Sequence, residues 1–166
     1  TGKYEEGFGW QRSSGTACIF ANFPKTAGYT AAYRLYNKYS GEHLYTTDKK
    51  EADYLPTIGW SYEGISWYSP EYSDTPVYRL YNASNGEHLY TKDVQEKKNL
   101  INKGWKEEGI TFYDAGELFS SPIYRLYNPF EMNTTNHLYT TDNAEVTKLV
   151  PLGWRDEGVA FNGYLL

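Results

Sequence analysis

Short stretches of alternating apolar and polar residues recur along the chain, always in the same order. Tyr33-Arg34-Leu35-Tyr36-Asn37, Tyr78-Arg79-Leu80-Tyr81-Asn82 and Tyr124-Arg125-Leu126-Tyr127-Asn128 come first in each set. They lead through turn-formers such as Tyr39-Ser40-Gly41 or Ser84-Asn85-Gly86 into His43-Leu44-Tyr45-Thr46, His88-Leu89-Tyr90-Thr91 and His137-Leu138-Tyr139-Thr140. Short runs rich in aromatic and β-branched residues, joined by Gly, Ser and Asn, predict a β-hairpin. The period then changes. Asp48-Lys49-Lys50-Glu51, Asp93-Val94-Gln95-Glu96 and Asp142-Asn143-Ala144-Glu145 each place Asp at an N-cap and Glu at the third helical position, a capping box opening a short helix. Leu55, Leu100 and Leu149 anchor these helices, and the glycines before Trp60, Trp105 and Trp154 end them. Pro56 and Pro151 hold the first and third to about two turns. After Glu63-Gly64, Glu108-Gly109 and Glu157-Gly158 the alternation returns. Ile65 with Trp67, Ile110 with Phe112 and Val159 with Phe161 share one face of a last strand, predicted to point inward.

The recurrence divides one domain, 1–166, into units 33–76, 77–122 and 123–166, preceded by a partial unit at 2–32. Gly2 to Trp10 repeats part of the half-unit that carries Gly-Trp. A period of about 45 residues indicates an array whose copies bury a shared core. With about four short strands expected per unit, the predicted fold is mostly β with short helices, a pseudo-threefold repeat of β-trefoil-like form. A propeller-like closed array is the alternative. The third unit departs from the pattern: its turn from Asn128 to Asn136 carries an insertion, and Asn136 stands where the others have Glu42 and Glu87. Any site there is expected to be altered.

Composition sharpens the question of what the units present. With 18 Tyr, 7 Phe and 5 Trp against a single Met, the interior is not built mainly from aliphatic residues. Tyr and Trp suit both a thin core and a wet recognition surface. The net charge of −5, with neither sign gathered into a block, argues against nucleic acid, whose phosphates need a basic patch. No run of 18 apolar residues offers a membrane span. Thr1-Gly2-Lys3 does not open a charged and then apolar leader. Cys18, the single cysteine, lies in the apolar run Ala17 to Ala21 and reads as a buried, inert thiol.

Repetition also weighs against catalysis. Each His and each Glu of the motifs is one position seen three times, whereas a triad or a carboxylate pair needs one special set. His43, His88 and His137 meeting on an axis would make a three-His metal site. A His beside a turn on a half-buried strand more often bonds a Tyr, a Thr or the backbone, and no metal or other cofactor is expected. Trp60, Trp105 and Trp154 never vary, although Trp67, Phe112 and Phe161 exchange at a neighbouring position. The indole either closes the helix end or offers a platform for the apolar face of a sugar. Around such a platform the candidate ligand-binding residues are Glu63, Glu108 and Glu157, Asn37, Asn82 and Asn128, Arg34, Arg79 and Arg125, with His43, His88 and His137. The Asn also suits a turn. The Arg alternates with the inward-facing Leu and also suits a solvated face.

Taken in order, these motifs resemble a repeat family of unknown function. The likeness covers residues 33 to 166 almost completely and residues 2 to 11 weakly. Repeats of that family are typically appended to secreted or surface proteins, including wall-lytic enzymes of Gram-positive bacteria and their phages and some glycosidases. The resemblance implies a secreted or cell-surface targeting module attached to a larger protein. The combined expectation is a non-catalytic, lectin-like module with up to three equivalent weak sites for a polysaccharide, peptidoglycan or another cell-wall glycan, its avidity raised by multivalency. The alternative is an adhesion or scaffold module that binds protein through a Tyr-rich surface.

Overall fold

A computed structural model describes residues 28–130 and 137–165, and the backbone of 10–13 and 16–19. Strands β1 (Trp10–Ser13) and β2 (Thr16–Ile19) pair with each other. Residues 2–9, 14–15 and 20–27 of the expected partial unit, the Cys18 side chain and Asn136 lie outside the described residues, while its last residues, from Tyr29, belong to the first strand of the first full unit.

Three units of one design follow. The first holds β3 (Tyr29–Asn37), β4 (Glu42–Thr46), α1 (Lys49–Tyr54) and β5 (Ser61–Pro70). The second holds β6 (Pro76–Asn82), β7 (Glu87–Thr91), α2 (Val94–Asn102) and β8 (Lys106–Tyr113). The third holds β9 (Ser121–Tyr127), β10 (His137–Thr140), α3 (Asn143–Leu149) and β11 (Arg155–Gly163). Each makes a three-stranded antiparallel sheet, one strand fewer than expected, with its first strand in the middle: β4-β3-β5, β7-β6-β8 and β10-β9-β11.

Local chemistry explains these elements. Asp48, Asp93 and Asp142 accept backbone N–H groups of the first helical turn, as an N-cap does. The Pro-bearing segments continue as 3-10 turns, Leu55–Ile58 and Val150–Leu152, whereas α2, without Pro, runs longer. Gly59 and Gly153, with φ near 100°, occupy the left-handed cap that a side chain would strain.

The second half of the expected capping box does not form. The N–H of each capping Asp is taken by a hydroxyl two residues earlier, Thr46, Thr91 or Thr140, at 2.9–3.0 Å. That releases Glu51, Glu96 and Glu145 to reach outside their own units.

The shared core takes three residues from each unit: Ala32, Tyr45 and Trp67; Val77, Tyr90 and Phe112; Ile123, Tyr139 and Phe161. Volume is balanced pair by pair, since the smallest member, Ala32, lies opposite the largest, Trp67. At the centre, β4, β7 and β10 are edge strands whose outer N–H and C=O groups have no neighbouring strand. Tyrosine hydroxyls from the adjoining units take these groups. The Tyr45 hydroxyl donates to the Tyr139 carbonyl at 2.7 Å, Tyr139 to Tyr90 at 2.9 Å and Tyr90 to Tyr45 at 2.8 Å. In return the Tyr45 N–H donates to the Tyr90 hydroxyl, Tyr90 to Tyr139 and Tyr139 to Tyr45. The rings meet edge to face, 5.2–5.8 Å between centroids. Side chains, not strand pairing, thus close the array, and no barrel forms among the described residues.

The unit ends add further ties. Ser69 Oγ accepts the Tyr113 N–H, Asp114 Oδ1 accepts the Asn162 N–H, and Tyr68 and Tyr164 pair as an isolated bridge joining the third unit to the first. At Gly163 a Cβ would stand 2.8 Å from the Trp67 ring. We therefore predict that Gly163→Ala costs about 1–3 kcal/mol in denaturant unfolding. Adding Trp67→Phe, which restores the ring found in the other two units, should recover part of that loss.

Candidate functional site

At each Glu-Gly step of the third strand a β-bulge intervenes. In the first unit Gly64 lies opposite Arg34 while Tyr62 lies opposite Leu35, leaving Glu63 as the extra residue. Gly64, Gly109 and Gly158 all have positive φ, 103°, 96° and 83°, which explains why this position stays Gly. The bulge turns the Glu side chain over its own sheet toward the Arg of the middle strand.

Each Arg joins two units. Arg79 Nη1 donates to Glu51 of the first unit at 2.8 Å, and Arg125 holds both carboxylate oxygens of Glu96 of the second at 2.8 and 2.9 Å. Arg34 reaches Glu145 of the third unit at 3.6 Å. Each also faces the bulge Glu of its own unit. Arg125 Nε donates to Glu157 at 2.6 Å, whereas Arg34 to Glu63 and Arg79 to Glu108, both 2.8 Å, are ion pairs off the hydrogen-bond line. The expected solvated face for these arginines is therefore corrected. Opposite the inward Leu lies the junction with the next unit, and the guanidinium sits mostly buried between two carboxylates.

The histidines line the same junctions. His88 Nδ1 lies 2.6 Å from Glu42 of the first unit and His137 Nδ1 lies 2.5 Å from Glu87 of the second. Their Nε2 atoms face Glu108 and Glu157 at 3.4 Å, and each ring stacks at a tilt on Tyr81 or Tyr127. Carboxylates are thus their partners, rather than the expected Tyr, Thr or backbone group. His43 faces Glu63 at 3.5 Å, and the position matching Glu42 and Glu87 is Asn136 in the sequence. Burial pushes the His43 imidazole down to about 4, with Arg34 adding to the effect against the opposing pull of Glu63. For His137 burial also lowers, but the hydrogen bonds its ring donates to Glu157 and Glu87 outweigh it and hold the ring above its ordinary value.

The two shifts have opposite consequences for stability. Between pH 6.5 and about 4 the unfolded chain protonates position 43 before the folded one, so this group favours folding as pH rises. The His137 contribution is full below its unfolded value and fades as pH rises through its raised folded value. A proton NMR titration should find His43 gaining its proton at lower pH than His137. Titration of both at the ordinary value would contradict the junction geometry.

Between units the walls leave polar grooves. One, about 200 Å³, lies between the third and first units and is lined by Arg34, Glu63, Ile65, Ser66, Thr141 and Glu145 among others. Another, about 290 Å³, lies between the second and third, with Lys92, Glu96, Arg125, Glu157, Val159 and Ala160 among its walls. At the remaining junction the Thr47 hydroxyl donates across to the Thr111 carbonyl at 3.0 Å. Ile65, Ile110 and Val159 are 47%, 50% and 50% exposed. That corrects their expected inward placement. Only Trp67, Phe112 and Phe161, two residues on, reach the core, while Ile65 and Val159 line the two grooves.

Glu63, Glu157, Arg34 and Arg125 are therefore brought to open grooves, and Glu108 and Arg79 to the junction that Thr47 bridges. Asn37, Asn82 and Asn128 are not in them: each side-chain oxygen accepts an N–H two residues on, where the chain leaves the strand. The tryptophans stand apart too. Each Trp backbone N–H donates to the carbonyl of the helix anchor, Leu55, Leu100 or Leu149, as the residue after a left-handed Gly cap does. Trp60 and Trp154 pack, half-buried, on the small cores beneath α1 and α3. Glu51, Glu96 and Glu145, and Glu42 and Glu87, are junction residues that the sequence reading missed. For Glu51, Glu96 and Glu145 the available signal was recurrence amid varying neighbours.

No group of His, Cys, Asp and Glu among the described residues could hold a metal ion. No helix among them is long and apolar enough to cross a membrane. No curated protein and no solved structure matches the chain. Residues 30–164 match the family described as a domain of unknown function, DUF5648, and with most of its length covered the chain belongs to that family.

Proposed function

We propose that the chain is a non-catalytic, lectin-like module that holds a polysaccharide or cell-wall glycan such as peptidoglycan in its junction grooves. The observation that carries the reading is the recurrence, at two open junctions, of a guanidinium between two carboxylates beside an exposed β-branched residue. Fixed carboxylates and a guanidinium accept from and donate to sugar hydroxyls, and Ile65 or Val159 meets the apolar face of the ring. Because Arg ties up the carboxylates at every junction, the arrangement suits holding better than acid–base chemistry. Two grooves on one rigid body give avidity for a polymer that neither gives alone. Such a role fits a secreted or surface protein, with this chain as its targeting part. For the fold, we read the propeller-like closed array in preference to the trefoil, because separate three-stranded sheets surround a side-chain core.

The test is retention on insoluble polysaccharides and purified cell walls, with competition by soluble sugars. Retention should be abolished by sugar, and the exposed pair Ile65→Ser and Val159→Ser should lower it several-fold with melting unchanged. A wild-type chain that no glycan retains, or that only a protein retains, would overturn the reading.

A further inference from the structure

A third cavity belongs to the first unit alone. It lies on the outer side of the sheet, under α1, with a volume of about 250 Å³ and walls of Tyr33, Lys49, Ala52, Asp53, Pro56 and Tyr62. The Tyr33 and Tyr62 rings stand 6.3 Å apart at 50°, forming an open wedge. Tyr62 is 52% exposed. At the rim Lys49 and Asp53 form an ion pair one helical turn apart.

The second unit shows what closes this space. Position 52 of the first unit corresponds to Lys97 of the second, and position 62 to Glu107. Lys97 lies over the Tyr78 ring with Nζ 3.8 Å from its centroid and pairs with Glu107 at 2.9 Å. Its side chain therefore occupies the volume that the small Ala52 leaves open. In the third unit Val146 and Asp156 stand at these two positions, and the second aromatic wall is missing. The cleft exists in the first unit because two substitutions coincide there, Ala in place of a longer side chain and Tyr in place of an acid.

We infer that this Tyr33–Tyr62 cleft is a separate binding site for one neutral pyranose ring of the glycan proposed above, on which reading it rests. Two tyrosine faces set as a wedge take the C–H face of a sugar. The Lys49 ammonium and the Asp53 carboxylate supply a donor and an acceptor for hydroxyls at the rim. A cationic ligand is disfavoured because Lys49 already stands 5.9 Å from the Tyr33 ring centroid. An anion meets Asp53. A neutral ring with an apolar face and polar edges matches all four groups. The module then holds its polymer at unlike places, the two junction grooves and this cleft, instead of at three equivalent sites.

The experiment compares retention on insoluble chitin and on peptidoglycan sacculi for the wild-type chain, Tyr62→Ala, and the double change Ala52→Lys with Tyr62→Glu. The double change copies the second unit's own solution, so the fold has already accommodated it, and melting curves confirm this for each variant. The inference expects retention to fall about tenfold in both, with the Ile65→Ser and Val159→Ser pair producing its separate loss. Wild-type retention that both cleft variants keep in full overturns the cleft while leaving the groove reading intact. Absence of wild-type retention on every glycan tested overturns both.

Discussion

Replacing Tyr90 by Phe is expected to lower the unfolding free energy by about 3 kcal/mol while changing the core volume by a single oxygen. The Tyr90 hydroxyl donates to the Tyr45 carbonyl and accepts the Tyr45 N–H, both within the sealed core. Without it a buried donor and a buried acceptor are stranded together, each costing about 1–3 kcal/mol. Tyr45→Phe and Tyr139→Phe should cost similar amounts, because each hydroxyl serves one neighbour in the same way. Melting should fall on the order of 10 °C. The control is Tyr39→Phe at an exposed turn, where no change is expected. A Tyr90→Phe variant as stable as wild type would mean that the closure does not depend on these hydroxyls.

Arg125→Met is the second large effect, at about 2 kcal/mol. Removing one partner of a fully buried pair costs about 3–5 kcal/mol, and this figure is reduced because water still reaches part of Glu96 and Glu157. The guanidinium holds both acids, and the Glu157 carboxyl lies below its ordinary range through the hydrogen bond from His137 and the charge of Arg125. That depressed value contributes stability above the unfolded carboxylate range and loses it as pH falls through the folded value. Wild type should therefore lose its advantage over Arg125→Met as the solution is acidified below about pH 4.5. Adding Glu96→Gln to Arg125→Met should recover part of the loss, because one of the two stranded charges is gone. An advantage that survives acidification unchanged would separate the arginine's role from its charge.

Much of each unit was legible because it is set by neighbours in sequence. The hairpins follow from alternation and turn residues, the helix starts from Asp48, Asp93 and Asp142, and the stops from Gly before Trp. The centre was not legible in the same way. Tyrosine serves core and surface alike, and nothing along the chain says that the outer edges of β4, β7 and β10 lack partner strands. The destination of Glu51 and its equivalents was hidden by a local alternative: a capping box satisfies the same pattern until Thr46 is seen to take the Asp48 N–H. The invariant indole left helix closure and a sugar platform both open, because the helix-ending role, with the Trp60 backbone N–H bonded back to Leu55, leaves no mark in the side chain. The Arg and Glu candidates did converge within each unit, Arg34 with Glu63, Arg79 with Glu108 and Arg125 with Glu157, whereas the second carboxylate at each Arg comes from the neighbouring unit, which one unit's pattern cannot reveal.

The most direct test of glycan capture is amide chemical-shift mapping as soluble peptidoglycan fragments are added to the isotopically labelled chain. The account predicts saturable shifts clustered at Ser66, Thr141 and Asp142 in one groove and at Lys92 and Ala160 in the other, displaced by competing sugar. A titration that leaves both junctions unmoved, with shifts only at scattered exposed aromatics such as Tyr72 or Phe119, would contradict it.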